Sequence, residues 1–283
     1  KEKNLKALDI QEKQPFTKNP QMEFASSGTY YFKNGNLMKE YFKKTVKEKL
    51  LVNNEYYVSM VYKPMINDNL NIKIFEINHF MQWGTPQDLE DYIYWSNCFK
   101  NLIKKRTSIK HKGTLLLPMV GLGKRFSSEG YKTPKPLIQV SGKSLAEQAI
   151  NDLPKTTKKR IILRRKMLGI NNFKKTINKQ RKKVEFIELN SVTDGQATTC
   201  IIGSKNIPLN TSVTIAACDN GMIYDDKKFD TLYKNNNIDV IVWGIRGYPG
   251  AIRNPNFYGW INLKKNSNKI LNISVKKPLK NPK

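Results

Sequence analysis

The segment TLLLPMVGLGKRFSSEGYKTPKPL, residues 114–137, passes from an unbroken apolar run into two glycines and then into a cluster of positive charge. Residues 115–118 show no polar alternation, the pattern of a strand buried on both faces, as in a parallel sheet. Gly121 and Gly123 allow backbone N–H groups to come close to an anion. Arg125, Lys132 and Lys135 add cations beside them, so strand, glycine turn and basic side chains together have what a polyphosphate needs. The spacing fits neither the Walker A pattern nor the dinucleotide fingerprint. A tight turn followed by solvated lysines would give the same letters.

Downstream of this segment, strand-like and helix-like patterns alternate as in a parallel α/β sheet. Strands are expected at 115–118, 160–163, 184–188, 212–217 and 240–243, and helices around 145–152, 196–204 and 227–234. Upstream, strands are expected at 23–32 and 72–76 and helices near 36–48 and 55–66. A further helix is expected after Thr85, with Thr85 as N-cap, Pro86 in the first turn and Asp88 three residues on. It runs through DLEDYIYWSNCF into the basic stretch KNLIKKRTSIKHKG, which reads as a linker.

The two ends of the chain resemble each other. KALDIQEKQPF (6–16) aligns without gaps on KILNISVKKPL (269–279), matching Lys6 with Lys269, Leu8 with Leu271, Ile10 with Ile273, Lys13 with Lys276 and Pro15 with Pro278. Apolar alternation ending at Pro predicts a strand and a bend in both copies. A chain that begins on Lys1 and repeats an element at its ends is what one period of a tandem array would look like.

Composition narrows the class. With 39% hydrophobic and 26% charged residues, the 283-residue chain can bury the core of one large domain or two small ones. Fifty Lys and Arg against 23 Asp and Glu give a net charge of +27, which would attract nucleic acid, anionic membrane or phosphorylated small molecules. Lysine scattered among Asn and Ile also arises from an AT-rich genome without selection for any partner. The densest basic stretch, 155–183, carries no recognition motif and only Phe173 for stacking, which disfavours a nucleic-acid partner. Cys98, Cys200 and Cys218 are widely separated, without metal spacing, and suggest a reducing compartment. With no apolar run long enough to span a bilayer, a cytoplasmic location and no membrane partner are expected.

Several segments together resemble the sugar-phosphate nucleotidyltransferases, the NDP-sugar pyrophosphorylase-like NTP transferase family. GLGKR followed by PKP resembles the signature G-x-G-[TS]-R…P-K-P, and DGQATTCIIGSK resembles the G-Q-A segment. TIAACDNGMIYD resembles the L-x-x-x-G-D strand end, NPNFYGWINL the sugar-facing N-P-x-x-Y-G strand, and EKQP and VKKP the E-K-P element. ASSGTYYF, NNEYYVS and FMQWGTPQDL resemble the later G-x-Y-x-F, G-E and G-T-P-E-D-L segments, so the family's last third stands first here.

The resemblance implies a Rossmann-like α/β nucleotidyltransferase fold with a mixed, mainly parallel central sheet flanked by helices. It implies that residues 1–98 are the C-terminal, sugar-binding part of such a domain, 99–112 a linker, and 113–283 the N-terminal, nucleotide-binding part. Either the two parts close as one permuted domain or each pairs with another copy in a swapped homo-oligomer. The implied reaction is nucleotidyl transfer from a nucleoside triphosphate to a sugar 1-phosphate, feeding nucleotide-sugar and polysaccharide synthesis. Arg125 and Lys135 would act on the phosphates, and Gly121, Leu122, Gly123, Lys124 and Gln196 would bind the nucleotide. Lys13, Lys276, Glu55, Tyr258 and Gly259 would line the sugar phosphate, and Asp219 would hold Mg2+.

From the residues alone, Asp219 before Asn220 and Gly221 is also a turn signal, and Gln196 also a helix opener. Met119, Met222 and Trp83 read as core, and His79 and His111 carry no partner pattern. Three departures from the family stand out: Lys124 replaces a hydroxyl residue, Gln82 replaces an Asp that many members carry, and Val275 stands where the first copy has Glu12. A non-catalytic nucleotide or sugar-phosphate binding module is the alternative that Gln82 and Lys124 favour.

Overall fold

The computed structural model describes residues 6–103, 109–180, 184–267 and 269–279. The chain divides into two compact units, Lys1–Thr85 and Pro86–Lys283, a division that falls upstream of the boundary expected at residue 98.

The second unit is built on a four-stranded sheet. β1 (Lys110–Pro118) pairs in parallel with β4 (Lys155–Arg164) on one side and β6 (Val213–Ile215) on the other, and β4 pairs in parallel with β5 (Val184–Leu189). The resulting order, β5-β4-β1-β6, is the order in which the first four strands of a doubly wound α/β sheet are laid down. Among the described residues of this unit the antiparallel ladders are two separate hairpins, β2 (Gln139–Val140) with β3 (Lys143–Ser144) and β7 (Gly259–Leu263) with β8 (Ile270–Val275).

The two-residue period of a strand explains why the leucine run is unbroken. Leu115, Leu117, Ile161 and Leu163 point to one face, where they meet α5 (Leu145–Asp152) through Ala146 and Ile150 and α6 (Ile170–Gln180) through Phe173 and Ile177. Leu116 and Ile162 point to the other face, against Cys200 of α7 (Gln196–Ser204). With both faces covered, every position from Gly113 to Pro118 is buried, and each leucine of the run contributes roughly 1.5–3 kcal/mol by burial. The remaining helices are α3 (Pro86–Ile103), α4 (Lys124–Ser128), α8 (Asp226–Tyr233) and α9 (Pro249–Arg253). An ion pair between Arg253 and Asp91 and a contact between the Tyr94 and Tyr248 rings join α3 to α9. No helix among the described residues is long and apolar enough to cross a membrane.

The first unit has a small core in which Tyr41 of α1 (Gly35–Lys47) and Met65 of α2 (Tyr62–Asn67) pack with Val61, Phe32 and Ile72. The Asn34 side chain caps α1 by accepting the Leu37 N–H at 2.9 Å.

Several expected elements take another form. Residues 23–32 are not a strand: Ser26, Ser27 and Gly28, the last at φ 77°, break the run, and Tyr30 and Phe32 pack on the Tyr62 ring. Residues 72–76 form no ladder among the described residues and bridge through Lys73 to Lys6. The helix expected at 55–66 starts later, as a 3-10 turn at Val58–Val61 that runs into α2. Glu55 instead closes a tight turn with Val52 through reciprocal 3.0 Å bonds, over Asn53 and Asn54 in left-handed conformation. Residues 240–243 have no ladder partner among the described residues, and Val240 is largely exposed. α3 runs on to Ile103 and β1 begins at Lys110, inside the stretch read as a linker; 104–108 lie outside the described residues. The two end copies also differ, because 269–279 contains β8 whereas 6–16 contributes, among the described residues, the isolated Lys6 bridge. Trp83, read as core, is half exposed.

Candidate functional site

β1 delivers the chain to the site. Beyond Pro118, Met119 and Val120 remain buried, and the backbone then turns through Gly121, Leu122 and Gly123 into α4. Gly123 sits at φ 66°, and a Cβ there would lie 2.8 Å from the Lys135 Cβ. No other residue meets both demands, so this glycine lets the Lys135 segment close against the loop. Lys135 is itself framed by Pro134 and Pro136 in a 3-10 turn, Lys135–Leu137, whose Leu137 N–H donates to the Pro134 carbonyl at 2.8 Å. Buried Pro136 and Leu137 anchor the turn and leave the lysine side chain partly exposed.

Two other segments complete the site. After β6 the chain runs through Ala216, Ala217 and Cys218 to Asp219, whose carboxylate forms an ion pair with the Lys135 ammonium. α7 opens at Gln196 after Gly195, whose carbonyl accepts the Thr193 and Thr199 hydroxyls at 3.0 Å each. The two hydroxyls also bond to each other at 2.6 Å, fixing the turn that presents Gln196.

These pieces enclose a cleft of about 440 Å³ lined by Gly121, Gly123, Lys124, Arg125, Lys135, Gln196 and Asp219, with Val192, Thr193, Thr199 and Cys218 among its walls. It lies beyond the carboxyl ends of β1 and β6, the neighbours at which the strand order changes direction, which is where open α/β sheets bind ligands. Three cations and one carboxylate are the charged residues lining it, so the cleft favours an anion with several negative oxygens.

Burial, and then the neighbouring Asp219 charge, push the Cys218 thiol up to about 11 against the opposing pull of Lys135. The thiol is therefore neutral near pH 7 and is not poised as a nucleophile. The Arg125 guanidinium lies 5.0 Å from the centre of the Phe257 ring, and the Lys135 ammonium 5.7 Å from that of Phe126. Among the described residues no group of three His, Cys, Asp or Glu could hold a metal ion. One cleft carboxylate fits a Mg2+ that draws its other ligands from phosphates and water, and does not fit a closed zinc site.

Of the residues singled out from sequence, the cleft gathers all the nucleotide and metal candidates except Leu122, which is half exposed and does not line it. The sugar-phosphate candidates fall into two groups. In the second unit Gly259 starts β7 with Tyr258 just before it, and the Tyr258 carbonyl accepts the Lys276 N–H at 3.0 Å. In the first unit the Lys13 ammonium lies 5.0 Å from the Tyr57 ring centre, and the Tyr57 hydroxyl donates to Glu55 at 2.5 Å. Sequence reasoning missed Thr193, Thr199, Cys218 and Phe257. All four fall inside or beside the family-like motifs, and the fold brings the threonines and Cys218 into the cleft wall and Phe257 against Arg125. His111 is buried between the Phe229 and Tyr233 rings, with Nδ1 3.8 Å from Asp230.

The chain is similar to a nucleoside-diphosphate-sugar pyrophosphorylase from Vibrio cholerae. The similarity has a TM-score of 0.43 and 18% identity, over 59% of this chain and 68% of that one. A UTP-bound UGPase from Acinetobacter baumannii is similar at a TM-score of 0.43 and 13% identity, over 59% of this chain and 69% of that one. An inositol-1-phosphate CTP transferase from T. maritima is similar at 0.33 and 16%, over 38% of this chain and 44% of that one. No family model matches the chain, and neither does any curated protein.

Proposed function

We propose that this chain belongs to the sugar-phosphate nucleotidyltransferases and that its cleft transfers a nucleotidyl group from a nucleoside triphosphate to a sugar 1-phosphate. An oxygen of the sugar 1-phosphate attacks the α-phosphorus, the bond from that phosphorus to the β-phosphate oxygen breaks, and pyrophosphate leaves with the electron pair. Such a reaction needs positioning and charge neutralisation more than covalent help. The observation that carries the proposal is the convergence of Lys124, Arg125, Lys135, Gln196 and Asp219 on one cleft at the sheet's switch point.

In this proposal the Gly121–Gly123 turn, Lys124 and Arg125 grip the triphosphate, Lys135 meets the reacting phosphates, and Gln196 faces the base. Tyr258, Gly259 and Lys276 are the second unit's candidates for the sugar phosphate, and Lys13 and Glu55, taken by themselves, are the first unit's. A Mg2+ held by Asp219 and the substrate phosphates would neutralise charge on the phosphate oxygens. Pyrophosphate release, measured with each of the four nucleotides, a panel of sugar 1-phosphates, and with or without Mg2+, tests the proposal. Magnesium-dependent release with one pairing supports it, and no release by a folded sample with any pairing refutes it.

One observation favours a second reading. Lys135 and Asp219 neutralise each other in the cleft, which suits a module that binds a nucleotide or sugar phosphate without turning it over. That module would show ligand-dependent thermal stabilisation and no pyrophosphate release.

A further inference from the structure

Two basic side chains in the cleft are held differently. Lys135 is paired with a carboxylate, whereas no carboxylate among the described residues pairs with Arg125. Its guanidinium rests on the face of Phe257, a ring that is 60% exposed and so not fixed by a core. The backbone under that ring is well tied: Phe257 N–H donates to the Asn254 carbonyl at 3.0 Å, and the Trp260 indole N–H donates to the Pro255 carbonyl at 2.8 Å.

A ring face attracts a guanidinium without neutralising it and without occupying its N–H donors in the plane. A carboxylate in the same place would have to be displaced before an anion could bind. We propose that Phe257 is the positioning residue for Arg125, orienting the guanidinium for a polyphosphate while leaving its charge and donors available. Phe257 also immediately precedes Tyr258 and Gly259, so the contact ties the glycine loop to the segment assigned above to the sugar side. This inference rests on the nucleotide reading of the cleft, but the contact itself can be tested without turnover.

The test uses Phe257→Leu, which removes the ring face, and Phe257→Tyr, which keeps it. In ligand-free protein, NMR should show the Arg125 Cδ protons shifted upfield by the ring, with the shift lost in the Leu variant and kept in the Tyr variant. Calorimetry with inorganic tripolyphosphate should show binding weakened about two- to fivefold in Phe257→Leu, the scale of an exposed cation–π contact. Binding should be restored in Phe257→Tyr, and Phe257→Leu should cost nothing further in an Arg125→Ala background. Absence of the ring shift, undiminished binding by Phe257→Leu, or a loss that persists without Arg125 would each overturn the proposal. Failure of the wild-type chain to bind tripolyphosphate would overturn it together with the nucleotide reading. Intact binding and ring shift without turnover on any substrate pair would remove the catalytic reading alone.

Discussion

Lys135 and Asp219 form an ion pair in the cleft, each side chain about one quarter exposed, and so join the Pro134–Pro136 turn to the segment that follows β6. Because each is a partner of the other, neither acts independently on a ligand. Lys135→Met and Asp219→Asn should each lower kcat/KM for pyrophosphate release by about 100-fold or more, the scale of losing one preorganised charge-stabilising group. The double variant should lose less than the product of the two, since the pair is broken in either single variant. Steady-state kinetics on the three variants checks this, and fully multiplicative losses would show the two residues to be independent.

Gly123→Ala should be costly and Gly121→Ala should not. Alanine at 123 would have to hold φ 66° with its Cβ 2.8 Å from that of Lys135, whereas nothing lies within 4 Å of a Cβ at 121. Denaturant titration should show a loss of about 1–3 kcal/mol for the first and a change within about 0.5 kcal/mol for the second. Equal stability of the two variants would mean that Lys135 does not close on the loop.

Ser144 and Glu147 form a reciprocal cap on α5: the Glu147 N–H donates to the serine hydroxyl oxygen at 3.3 Å, and the Ser144 N–H donates to the glutamate at 2.9 Å. Ser144→Ala should lower the unfolding free energy by about 1 kcal/mol, measured by denaturant titration, with little effect on ligand affinity.

Cys218 gives a pH test. Burial raises its pKa from 9.0 to about 11, so the folded protein holds this proton where an unfolded chain has lost it. The group therefore leaves stability unchanged below pH 9 and lowers it as pH rises from 9 toward 11. Labelling by a thiol reagent should be slow at pH 8 and accelerate toward pH 11. Asp219→Asn should move that profile down and Lys135→Met should move it up, because the carboxylate disfavours the thiolate and the ammonium favours it. Labelling that saturates near pH 9 in the wild type would contradict this assignment.

How much of this was legible in the sequence depends on what each signal reports. The leucine run of β1 reports burial on both faces, and the structure buries both. α5 and α7 fall where expected because each has a local start, Ser144 with Glu147 for one and Gly195 for the other. Residues 240–243 are an unbroken β-branched and aromatic run of the kind strands use, but composition does not supply a neighbour, and they have none among the described residues. The terminal repeat shows the same division. Lys13 and Lys276 share the left-handed conformation, at φ 63° and 56°, because local sequence sets local conformation. One copy nevertheless makes a single bridge while the other includes the six-residue strand β8, since pairing depends on what lies alongside. The cleft's cations and its carboxylate were readable as motif residues, but the Arg125–Phe257 contact was not, because it spans two motifs that only the fold brings together.

The most direct test of the central claim is phosphorus NMR of the protein with Mg2+, a nucleoside triphosphate and a sugar 1-phosphate, repeated for each of the four bases. The account predicts that for one pairing the sugar 1-phosphate and triphosphate signals decline together while nucleotide-sugar and pyrophosphate appear in equal amounts, and that Arg125→Ala abolishes the change. Saturable nucleotide binding with all starting signals intact for every pairing would contradict it.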